Sequence, residues 1–382
     1  MYDMKSCKKK EGFMEKSTVY FTNMRTRANG DSLLKKMRKL LDAAGMGEID
    51  FNGKFTAIKI HFGEPGNLAF LRPNFARVVV DAVKEAGGKP FLTDCNTLYA
   101  GRRKNALEHL EAAWENGFTP YSAGCPILIG DGLKGTDDVE VPVPNGEYVK
   151  TAKIGRAVMD ADVVISLNHF KGHELTGFGG AIKNIGMGCG SRAGKKEQHC
   201  DGVTEVKADR CIGCRACGRI CAHDAPNFDG GKAWIDPAKC VGCGRCIGVC
   251  PTDAIAPVWG QAAGLLDKKM AEYALAVLHG RPHFHISVVM DVSPCCDCHA
   301  ENDAPIVPDV GIFASFDPVA LDQACCDAVN DQPALSGSVL GDSDCRHKDH
   351  LNGAAPGTDW KCQLQYAEKI GLGQRAYKIV EL

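Results

Sequence analysis

Residues 211–221 read C-I-G-C-R-A-C-G-R-I-C, and residues 240–251 read C-V-G-C-G-R-C-I-G-V-C-P. Each stretch places four cysteines with two, two and three residues between them. A thiolate run of this spacing holds three corners of a [4Fe–4S] cube, and its fourth cysteine reaches a second cube. The two stretches together therefore predict two [4Fe–4S] clusters.

The repeated run resembles the bacterial two-[4Fe–4S] ferredoxin module, and the resemblance covers roughly residues 205–257. In that module the last cysteine of each run binds the cluster of the other run. The first cluster would then take Cys211, Cys214, Cys217 and Cys250, and the second Cys240, Cys243, Cys246 and Cys221. One departure from the pattern is Ala222, which follows Cys221 where the second run has Pro251.

Two other uses of cysteine fit these runs less well. A zinc ribbon needs two C-x-x-C pairs and four ligands per metal. Disulfides need an oxidising compartment, and the N-terminus M-Y-D-M-K-S-C-K-K-K-E-G lacks the apolar segment of a secretory signal. The 20 cysteines of the 382-residue chain therefore predict a reducing, cytoplasmic location. We expect residues 1–14 to be a disordered leader.

Composition narrows the function classes. Hydrophobic residues make up 45% of the chain and charged residues 24%, which is ordinary for a folded protein with a real core. The formal net charge of −2 provides no basic field to attract nucleic acid. No apolar stretch reaches the roughly 18 residues of a transmembrane helix. We therefore expect two or three domains, no nucleic-acid partner and no membrane span.

Short apolar strands alternate with helices on both sides of the cysteine-rich segment. Strands are predicted at 19–23, 55–60, 91–94, 127–129, 139–143 (paired with 147–150), 162–167, 284–292, 312–315 and 376–380. Helices are predicted at 32–44, 73–86, 103–116, 154–159, 262–278, 317–329 and 360–370. This alternation is typical of an α/β fold with a mostly parallel sheet and flanking helices. We predict a discontinuous α/β host domain, residues 15–200 and 258–382, with an inserted α+β ferredoxin-like two-cluster domain, residues 201–257.

Polar residues concentrate after the predicted strands, where open parallel sheets bind ligands. They lie in K-I-H-F-G-E-P-G-N (59–67), N-H-F-K-G-H-E-L (168–175) and G-F-G-G-A-I-K-N-I-G-M-G-C-G-S-R-A-G-K-K (177–196). A Gly-rich turn that begins a helix also exposes backbone N–H groups to an anion. We predict a pocket for a small anionic substrate, with the alternative that each side chain is a solvated surface group. The anion-binding candidates are Lys59, Lys171, Asn184, Arg192 and Lys195, and the catalytic candidates are His61, His169, His173 and Lys183.

A further cysteine group, P-C-C-D-C-H, occupies residues 294–299. Its side chains are of the type that bind zinc or a third iron–sulfur cluster, which makes Cys295, Cys296, Cys298 and His299 candidates for an additional metal. Cys295 and Cys296 do not readily bind one metal, because side chains alternate along an extended chain. The alternatives are buried cysteines acting as small hydrophobes and a redox-active thiol, Cys298, beside His299.

Several longer segments resemble the family named domain of unknown function 362. They are F-T-N-M (21–24), K-I-H-F-G-E-P-G-N (59–67), D-C-N-T-L-Y-A-G-R-R (94–103), N-H-F-K-G-H-E-L-T-G-F-G-G-A-I-K-N-I-G-M-G (168–188) and G-I-F-A-S-F-D-P-V-A-L-D-Q-A (311–324). Many members of that family carry a ferredoxin insert. The resemblance spans most of the chain, and it implies this architecture without naming a substrate or a reaction.

The leading hypothesis is an iron–sulfur electron-transfer protein, in which two clusters pass single electrons from a redox partner protein to the anionic-substrate pocket. Such a chain would be an oxidoreductase component. One alternative is a non-catalytic electron carrier or docking partner, for which we expect a bare apolar patch beside a cluster. The other is a metal- or cluster-handling protein that uses the Cys295–His299 run.

Overall fold

A computed structural model describes residues 16–98, 101–199, 204–221, 223–240, 245–257, 263–341 and 349–382. The predicted leader, residues 1–14, lies outside the described residues, and so does Cys243 of the predicted second cluster. Within the described ranges, no helix combines the length and the apolar character needed to cross a bilayer.

The first part of the chain alternates strands and helices, as the sequence predicts. Local signals set several helix starts: the Ser32 side chain accepts a hydrogen bond from the Lys35 N–H, and Pro73 opens the second helix. In chain order the elements are β1 (Ser17–Asn23), α1 (Leu33–Ala43), β2 (Phe55–Lys59), α2 (Pro73–Glu85), β3 (Lys89–Asp94), α3 (Ala106–Glu115), α4 (Pro120–Ala123), β4 (Ile127–Ile129), β5 (Asp138–Pro142), β6 (Thr151–Gly155), α5 (Arg156–Met159), β7 (Val163–His169), β8 (Lys171–His173), β9 (Gly177–Gly179), α6 (Ala181–Cys189) and α7 (Arg192–His199).

The cysteine-rich segment forms only short elements. They are β10 (Thr204–Val206), α8 (Ala216–Ile220), β11 (Pro226–Asn227), β12 (Trp234–Ile235), α9 (Arg245–Gly248) and β13 (Ile255–Pro257). Strands β10 and β13 pair antiparallel, with Thr204 opposite Pro257. The segment therefore begins and ends at neighbouring points, which is the geometry that an inserted domain requires.

The last part of the chain returns to the host fold. Its elements are α10 (Ala263–Leu278), β14 (His283–Val289), β15 (Gly311–Ser315), α11 (Pro318–Asn330), α12 (His350–Ala354), α13 (Trp360–Lys369) and β16 (Tyr377–Glu381). Asp317 begins α11, because its carboxylate accepts hydrogen bonds from the Val319 and Ala320 N–H groups.

Eight strands from the two host parts form one sheet in the order β16–β1–β15–β14–β7–β2–β3–β4. Five neighbouring pairs are parallel, and β15 runs antiparallel to β1 and β14. Helices cover both faces, and all seven residues of the central strand β7 are buried, as expected for a strand covered on two sides. The predicted α/β fold with a mostly parallel sheet is confirmed.

The two faces of the sheet carry separate apolar cores. One core joins α6, α10, α11 and α13, and includes Ile182, Ala274 and Leu364. The other packs α1 and α2 on the opposite face. Helices α6 and α10 approach closely: a Cβ on Gly186 would lie 2.1 Å from the Met270 carbonyl oxygen. Only glycine permits this contact, which fixes α6 beneath the strand ends.

Two local predictions were wrong. The predicted helix 154–159 is divided between a strand, β6, and the short helix α5. The predicted partner of 139–143 was 147–150, whereas β5 pairs with β6. In β6 the side chains of Ala152 and Ile154 are buried and alternate with half-buried residues. This strand period is only five residues long, which is too short to be distinguished in the sequence from the helix that follows.

Candidate functional site

A cavity lies at the carboxyl ends of β2, β3 and β7 and encloses about 520 Å³ of space free of protein atoms, part of it open to solvent. Ligands of open parallel sheets bind at this position. The described lining is strongly cationic, with five lysine or arginine side chains and one carboxylate. These are Lys59, Arg103, Lys171, Lys183, Lys195 and Asp94.

Seven of the nine host-domain residues predicted for the pocket line this cavity. They are Lys59, His61, His169, Lys171, Lys183, Asn184 and Lys195. The other two lie elsewhere. His173 is buried beside Cys296 and Cys298, and the Arg192 Nη1 donates to the Lys104 carbonyl at 2.8 Å. The cluster is thus assembled from the ends of strands β2 and β7, from β8, and from helices α6 and α7.

Lys59 forms a buried ion pair at the end of β2. Its Nζ lies 2.9 Å from Asp94 Oδ1, and the two side chains are 1% and 3% exposed. The same Nζ donates to Asn184 Oδ1 at 2.8 Å. Burial raises the pKa of Asp94, but the Lys59 ammonium and neighbouring cations outweigh it, so the pKa lies below its usual range. A Cβ on Gly188 would lie 2.4 Å from Lys59 Nζ, so glycine makes room for this ammonium.

His169 and Lys171 share the buried carboxylate of Asp297. His169 Nδ1 lies 2.9 Å from Asp297 Oδ1, and its Nε2 lies 2.9 Å from the Met290 carbonyl. Both partners are acceptors, so only a ring protonated on both nitrogens satisfies them. Lys171 Nζ lies 3.1 Å from Asp297 Oδ2. His169 is therefore held within the protein and has no ring nitrogen directed at a substrate.

His61 is also engaged on both ring nitrogens. The Gly63 N–H points at Nδ1 at 3.0 Å, and Arg103 Nη1 lies 3.0 Å from Nε2. Arg103 is in turn paired with Glu64 at 2.8 Å. Burial and the Arg103 charge hold the pKa of His61 well below its usual value. A neutral ring enclosed by donors is poorly placed to give a proton to a substrate.

The N-terminus of α6 differs from the sequence expectation. The Gly-rich turn was expected to offer backbone N–H groups to a bound anion, but the Asp322 carboxylate accepts from the Ala181 and Ile182 N–H groups at 2.7 and 2.9 Å. Burial raises the pKa of Asp322 to about 7. The protein's own carboxylate therefore occupies this helix terminus, and cationic side chains are left as the anion-binding groups.

Lys195 of α7 also lines the cavity. Its Nζ donates to the Gly190 carbonyl at 2.6 Å and lies 3.4 Å from the Gly188 carbonyl. Among the described residues its hydrogen-bond partners are carbonyl oxygens, and the carboxylates that its charge influences, Asp131 and Asp94, are not among those partners. A bound anion would gain from this charge.

Two thiols lie at the end of the cavity nearest Lys183. Cys298 lines the cavity, and Cys296 is fully buried behind it. Lys183 Nζ donates to Cys296 Sγ at 3.3 Å. A hydrogen bond from Cys298, together with the Lys183 ammonium and the His173 ring, outweighs burial and holds the pKa of Cys296 well below that of an ordinary thiol. The hydrogen bond to Cys296 and burial raise the pKa of Cys298, so the pair shares one proton.

His173 completes a buried group with these two cysteines. The three ligand atoms lie within 4.8 Å of one another, a spacing that could hold a metal ion. His173 Nδ1, however, accepts from the Leu175 N–H at 3.1 Å and the Thr176 N–H at 3.3 Å. The ring proton is therefore on Nε2, which makes the ring a donor to Cys296. A histidine that binds metal normally donates from its second nitrogen, so the hydrogen bonding favours a thiolate site over a metal site.

The other two members of the predicted metal run point away from this group. His299 Nε2 lies 2.9 Å from Glu174 Oε1, with both side chains more than 40% exposed, and the hydrogen bond to Glu174 raises the pKa of His299. Cys295 is half-buried. The structure thus brings together Cys296, Cys298 and a histidine from β8 that the local sequence did not connect with them.

Sequence reasoning missed three charged residues of the site. Asp94, Arg103 and Asp297 each neutralise or orient a predicted residue. All three lie inside the quoted motifs, and the signal that could have found them is the charge balance. Several lysines buried at the end of a sheet require carboxylates nearby.

A second cavity, of about 310 Å³, lies in the cysteine-rich segment. Four cysteines line it: Cys211, Cys214, Cys217 and Cys250. These are the four residues predicted from the sequence to bind the first cluster, with Cys250 coming from the second run. Backbone N–H groups point at two of the sulfurs, from Ala233 to Cys211 at 3.4 Å and from Ala254 to Cys250 at 3.2 Å. The donor set and the inward-facing N–H groups fit an iron–sulfur cluster.

The loop after β3 connects the two cavities. Thr97 and Arg103 line the cationic cavity. Leu98 is fully buried in an apolar cluster with residues of the cysteine-rich segment that include Cys217, Cys246 and Cys250. Lys104 pairs with Asp253 at 3.3 Å. One short loop therefore contacts the cationic cavity with some side chains and the cysteine-rich segment with others.

Solved structures show weak overall similarity to this fold. The lactate racemase apoprotein of Thermoanaerobacterium thermosaccharolyticum has a TM-score of 0.39 and 11% identity, covering 95% of this chain and 82% of its own. A crystal structure of a Thermotoga maritima protein has a TM-score of 0.39 and 12% identity, covering 77% and 57%. These values support no inference about function.

Sequence comparisons are more informative. The thylakoid-associated protein sll1697 of Synechocystis sp. is 30% identical over 165 residues, which is 41% of this chain and 46% of that protein. The chain thus spans about half the length of this curated relative. The family model for the domain of unknown function DUF362 matches residues 56–327, a range that includes the strand ends, α6 and the thiol group. The chain belongs to the DUF362 family.

Proposed function

We propose that this protein is an iron–sulfur oxidoreductase component that reduces a small anionic substrate in the cationic cavity. Residues 201–257 would be the inserted cluster domain and the remainder its α/β host. The electron donor would be a separate redox partner protein.

The cysteine geometry supports the proposed cofactors. Cys211, Cys214, Cys217 and Cys250 line one cavity and would hold the first cluster. Cys240, Cys243, Cys246 and Cys221 would hold the second. When bound, such clusters supply single electrons. Hydrogen bonds from backbone N–H groups to cysteine sulfur stabilise the charged thiolates that such ligation needs.

The observation that carries the proposal is the double contact made by the described residues after β3, at positions 95–98 and 101–104. Leu98 packs among the cluster cysteines, while Thr97 and Arg103 line the cationic cavity. A docking module without chemistry of its own would not need a cationic cavity in contact with the electron-carrying segment. This contact favours delivery of electrons to a substrate in the host domain.

The charges in the cavity favour an anionic substrate. Lys59 and Arg103 are paired with Asp94 and Glu64, and they shape the wall. Lys195 has only carbonyl partners among the described residues, and it would bind a carboxylate or phosphate directly. Cys298 also lines the cavity. Its thiol can give up a proton, and its interaction is with the Cys296 sulfur rather than with a backbone group.

One observation favours the alternative of a simple electron carrier. Ile212 is 67% exposed and lies beside the exposed Cys214 at the first cluster cavity. An exposed apolar side chain next to a ligand cysteine is a contact point for a redox partner. Both a carrier and an oxidoreductase need such a contact point for a redox partner, so the exposed Ile212 does not distinguish them. The cationic cavity does, because only an oxidoreductase needs a substrate site.

The test begins with anaerobic purification and metal counting. We expect about eight iron and eight sulfide per chain, since each cube holds four of each. Cys217→Ala should remove about half of the iron and change the electron paramagnetic resonance spectrum, whereas Cys362→Ala, in a half-buried position outside both cavities, should not. Stoichiometric zinc without iron would contradict the proposal.

A second measurement separates the oxidoreductase from the carrier. Calorimetric titration with phosphate and with a small dicarboxylate should show binding that Lys195→Met weakens about tenfold, the loss of one direct charge-assisted contact. Lys268→Met, at a surface lysine near Tyr148, is the matched control. Absence of anion binding in the intact iron-loaded protein would favour the carrier.

A further inference from the structure

We propose that Cys298 and Cys296 form a redox-active dithiol in the cationic cavity, and that the substrate class is a small disulfide carrying negative charge. This inference deepens the proposed function. It depends on that function only for the step that returns the oxidised pair to the reduced form.

The positions of the two sulfurs match the two roles that a redox dithiol needs. Cys298 lines the cavity and can meet a substrate sulfur. Cys296 is fully buried, and its Sγ lies within 4.8 Å of the Cys298 Sγ. An attacking thiol faces the substrate, and a resolving thiol waits one residue away along the chain.

The surroundings of the pair favour a thiolate. Lys183 Nζ contacts Cys296 Sγ at 3.3 Å, and His173 can only donate to Cys296 because its Nδ1 already accepts from Leu175 and Thr176. Both groups stabilise negative charge on sulfur, and a thiolate is the reactive form of cysteine. The same tautomer argues against a metal bound between His173 and the two sulfurs.

The other buried host cysteines lack these features. Cys95, Cys189 and Cys325 are fully buried, and burial raises the pKa of each thiol. Cys295 is next in sequence to Cys296, and burial is the main cause of the raised pKa of its half-exposed thiol. Redox chemistry is therefore assigned to the Cys296–Cys298 pair within the run.

The cavity itself indicates the class of disulfide. Its lining has an excess of lysine and arginine over carboxylate. A disulfide that bears carboxylates would be held by Lys195 while Cys298 reaches its sulfur. A disulfide that bears ammonium groups would be repelled.

The exchange balances as follows. Cys298 gives its proton to the Cys296 thiolate and attacks one sulfur of the substrate R–S–S–R, so that a Cys298–S–R mixed disulfide forms and one RS⁻ leaves. Cys296 then loses its proton to solvent and attacks Cys298 Sγ, which releases the second RS⁻ and forms the Cys296–Cys298 disulfide. Two electrons and one proton restore the reduced pair, and the proposed clusters supply electrons singly.

The experiment uses the iron-loaded protein, reduced with a dithiol reagent and freed of it under anaerobic conditions. Oxidised glutathione, whose four carboxylates outnumber its two ammonium groups, is the probe with net negative charge, and cystamine, which carries two ammonium groups and no carboxylate, is the cationic probe. Peptide mapping of the quenched protein should find a Cys296–Cys298 link that forms about tenfold faster or more with oxidised glutathione, because opposite charges attract in the cavity.

Four variants test the roles of these residues: one traps the mixed disulfide, one removes the attacking sulfur, one is the control, and one removes the neighbouring ammonium. Cys296→Ser should accumulate glutathione on Cys298, and Cys298→Ser should accumulate none and form no link. Cys295→Ser, one residue away in the same loop, should form the link at the wild-type rate. Lys183→Met should slow the reaction about tenfold, through loss of the ammonium that stabilises the thiolate.

Other outcomes overturn the inference. They are a link that involves Cys295, equal rates with the two probes, or iron or zinc that is lost specifically on substitution of Cys296 or Cys298. Because the dithiol reagent, and not the clusters, reduces Cys296 and Cys298 before the probe is added, this experiment tests the reaction of the dithiol independently of electron transfer from the clusters. The clusters can also be reduced chemically and tested for whether they regenerate the dithiol from the Cys296–Cys298 disulfide. If the dithiol reacts with the probe but the reduced clusters do not regenerate it, the result counts against the proposed electron delivery. If the cluster spectra are intact but no Cys296–Cys298 link forms, the result counts against the dithiol and not against the clusters.

Discussion

The cysteine-rich segment and the host fold use the same residue type in opposite surroundings. In residues 204–257, Cys214 is exposed, Cys211, Cys221 and Cys240 are half-buried, and Cys217, Cys246 and Cys250 belong to a small apolar cluster of eight described residues. In the host, Cys325 and Cys326 are fully buried within a core of several helices and strands. Cysteines that line a shared cavity, with backbone N–H groups directed at their sulfurs, are good ligands, whereas cysteines enclosed by an extensive apolar core behave as small apolar side chains.

The difference in apolar packing indicates where each region obtains its stability. The host buries two extensive apolar cores and pairs its buried charges within the protein. The cysteine-rich segment has short strands of two or three residues and a small core, so its folding free energy should come mainly from bound metal. The thiol pair at Cys296 and Cys298 belongs to neither class, because it is buried but surrounded by cations.

The largest expected effect follows removal of iron. Metal–thiolate binding contributes on the order of 10 kcal/mol in small metal domains, more than a core of this size supplies. In the metal-free protein, limited proteolysis should therefore cut within residues 204–257 while α10 to β16 remain protected, as read by mass spectrometry. Protection of the segment without metal would remove the main contrast between the two regions.

The next largest effect should appear in the host alone. Lys59→Met leaves Asp94 buried without its 2.9 Å partner, and breaking a buried pair in this way costs about 3–5 kcal/mol in the free energy of unfolding. Urea unfolding of the host should show the loss, with iron content unchanged. Arg77→Met breaks an exposed pair with Asp81 and should cost about 0.5 kcal/mol. Equal losses for the two variants would mean that Lys59 is not held as the structure places it.

A smaller effect concerns pH. Burial lowers the pKa of His109 to about 3, against about 6.5 in an unfolded chain. The folded state thus binds this proton more weakly, so the stabilisation is complete above pH 6.5 and is lost as pH falls toward 3. Between pH 7 and pH 5 the wild type should lose about 2 kcal/mol more than His109→Gln, since each pH unit is worth about 1.4 kcal/mol.

The pH measurement has a matched control in an exposed histidine of the host. His279→Gln should follow the wild-type pH dependence, because this side chain is exposed at the end of α10. If His109→Gln and the wild type lose the same free energy between pH 7 and pH 5, then His109 is hydrated in solution. The complete burial of His109 that the structure shows would then not hold in solution.

The smallest effect tests the two kinds of cysteine directly. Cys325→Ala removes one buried sulfur from the host core and should cost about 1 kcal/mol, a small-cavity effect. Its iron content and cluster spectrum should equal those of the wild type, in contrast to Cys217→Ala. Loss of iron from Cys325→Ala would show that the two regions do not use cysteine differently.

Much of the architecture could be predicted from the chain. Strand periods and helix signals gave the parallel sheet, and the missed elements were short, such as β6 and β8. Seven of nine predicted pocket residues line the cavity, because the ends of parallel strands meet at one edge. Asp94, Arg103 and Asp297 were missed because a charge partner is chosen by distance in space, which strand order alone does not give.

The chain alone carries the repeated cysteine spacing of residues 211–250, from which the two clusters are proposed, because ligands of one local run follow each other at fixed intervals. Only the tertiary structure decided that Cys296 and Cys298 lie with His173 and Lys183 rather than with His299. It also decided that Asp322 occupies the N-terminus of α6. The physical reason is that burial and hydrogen-bond direction depend on how distant segments pack, and those quantities determine whether a thiol is a core residue, a ligand or a reactive thiolate.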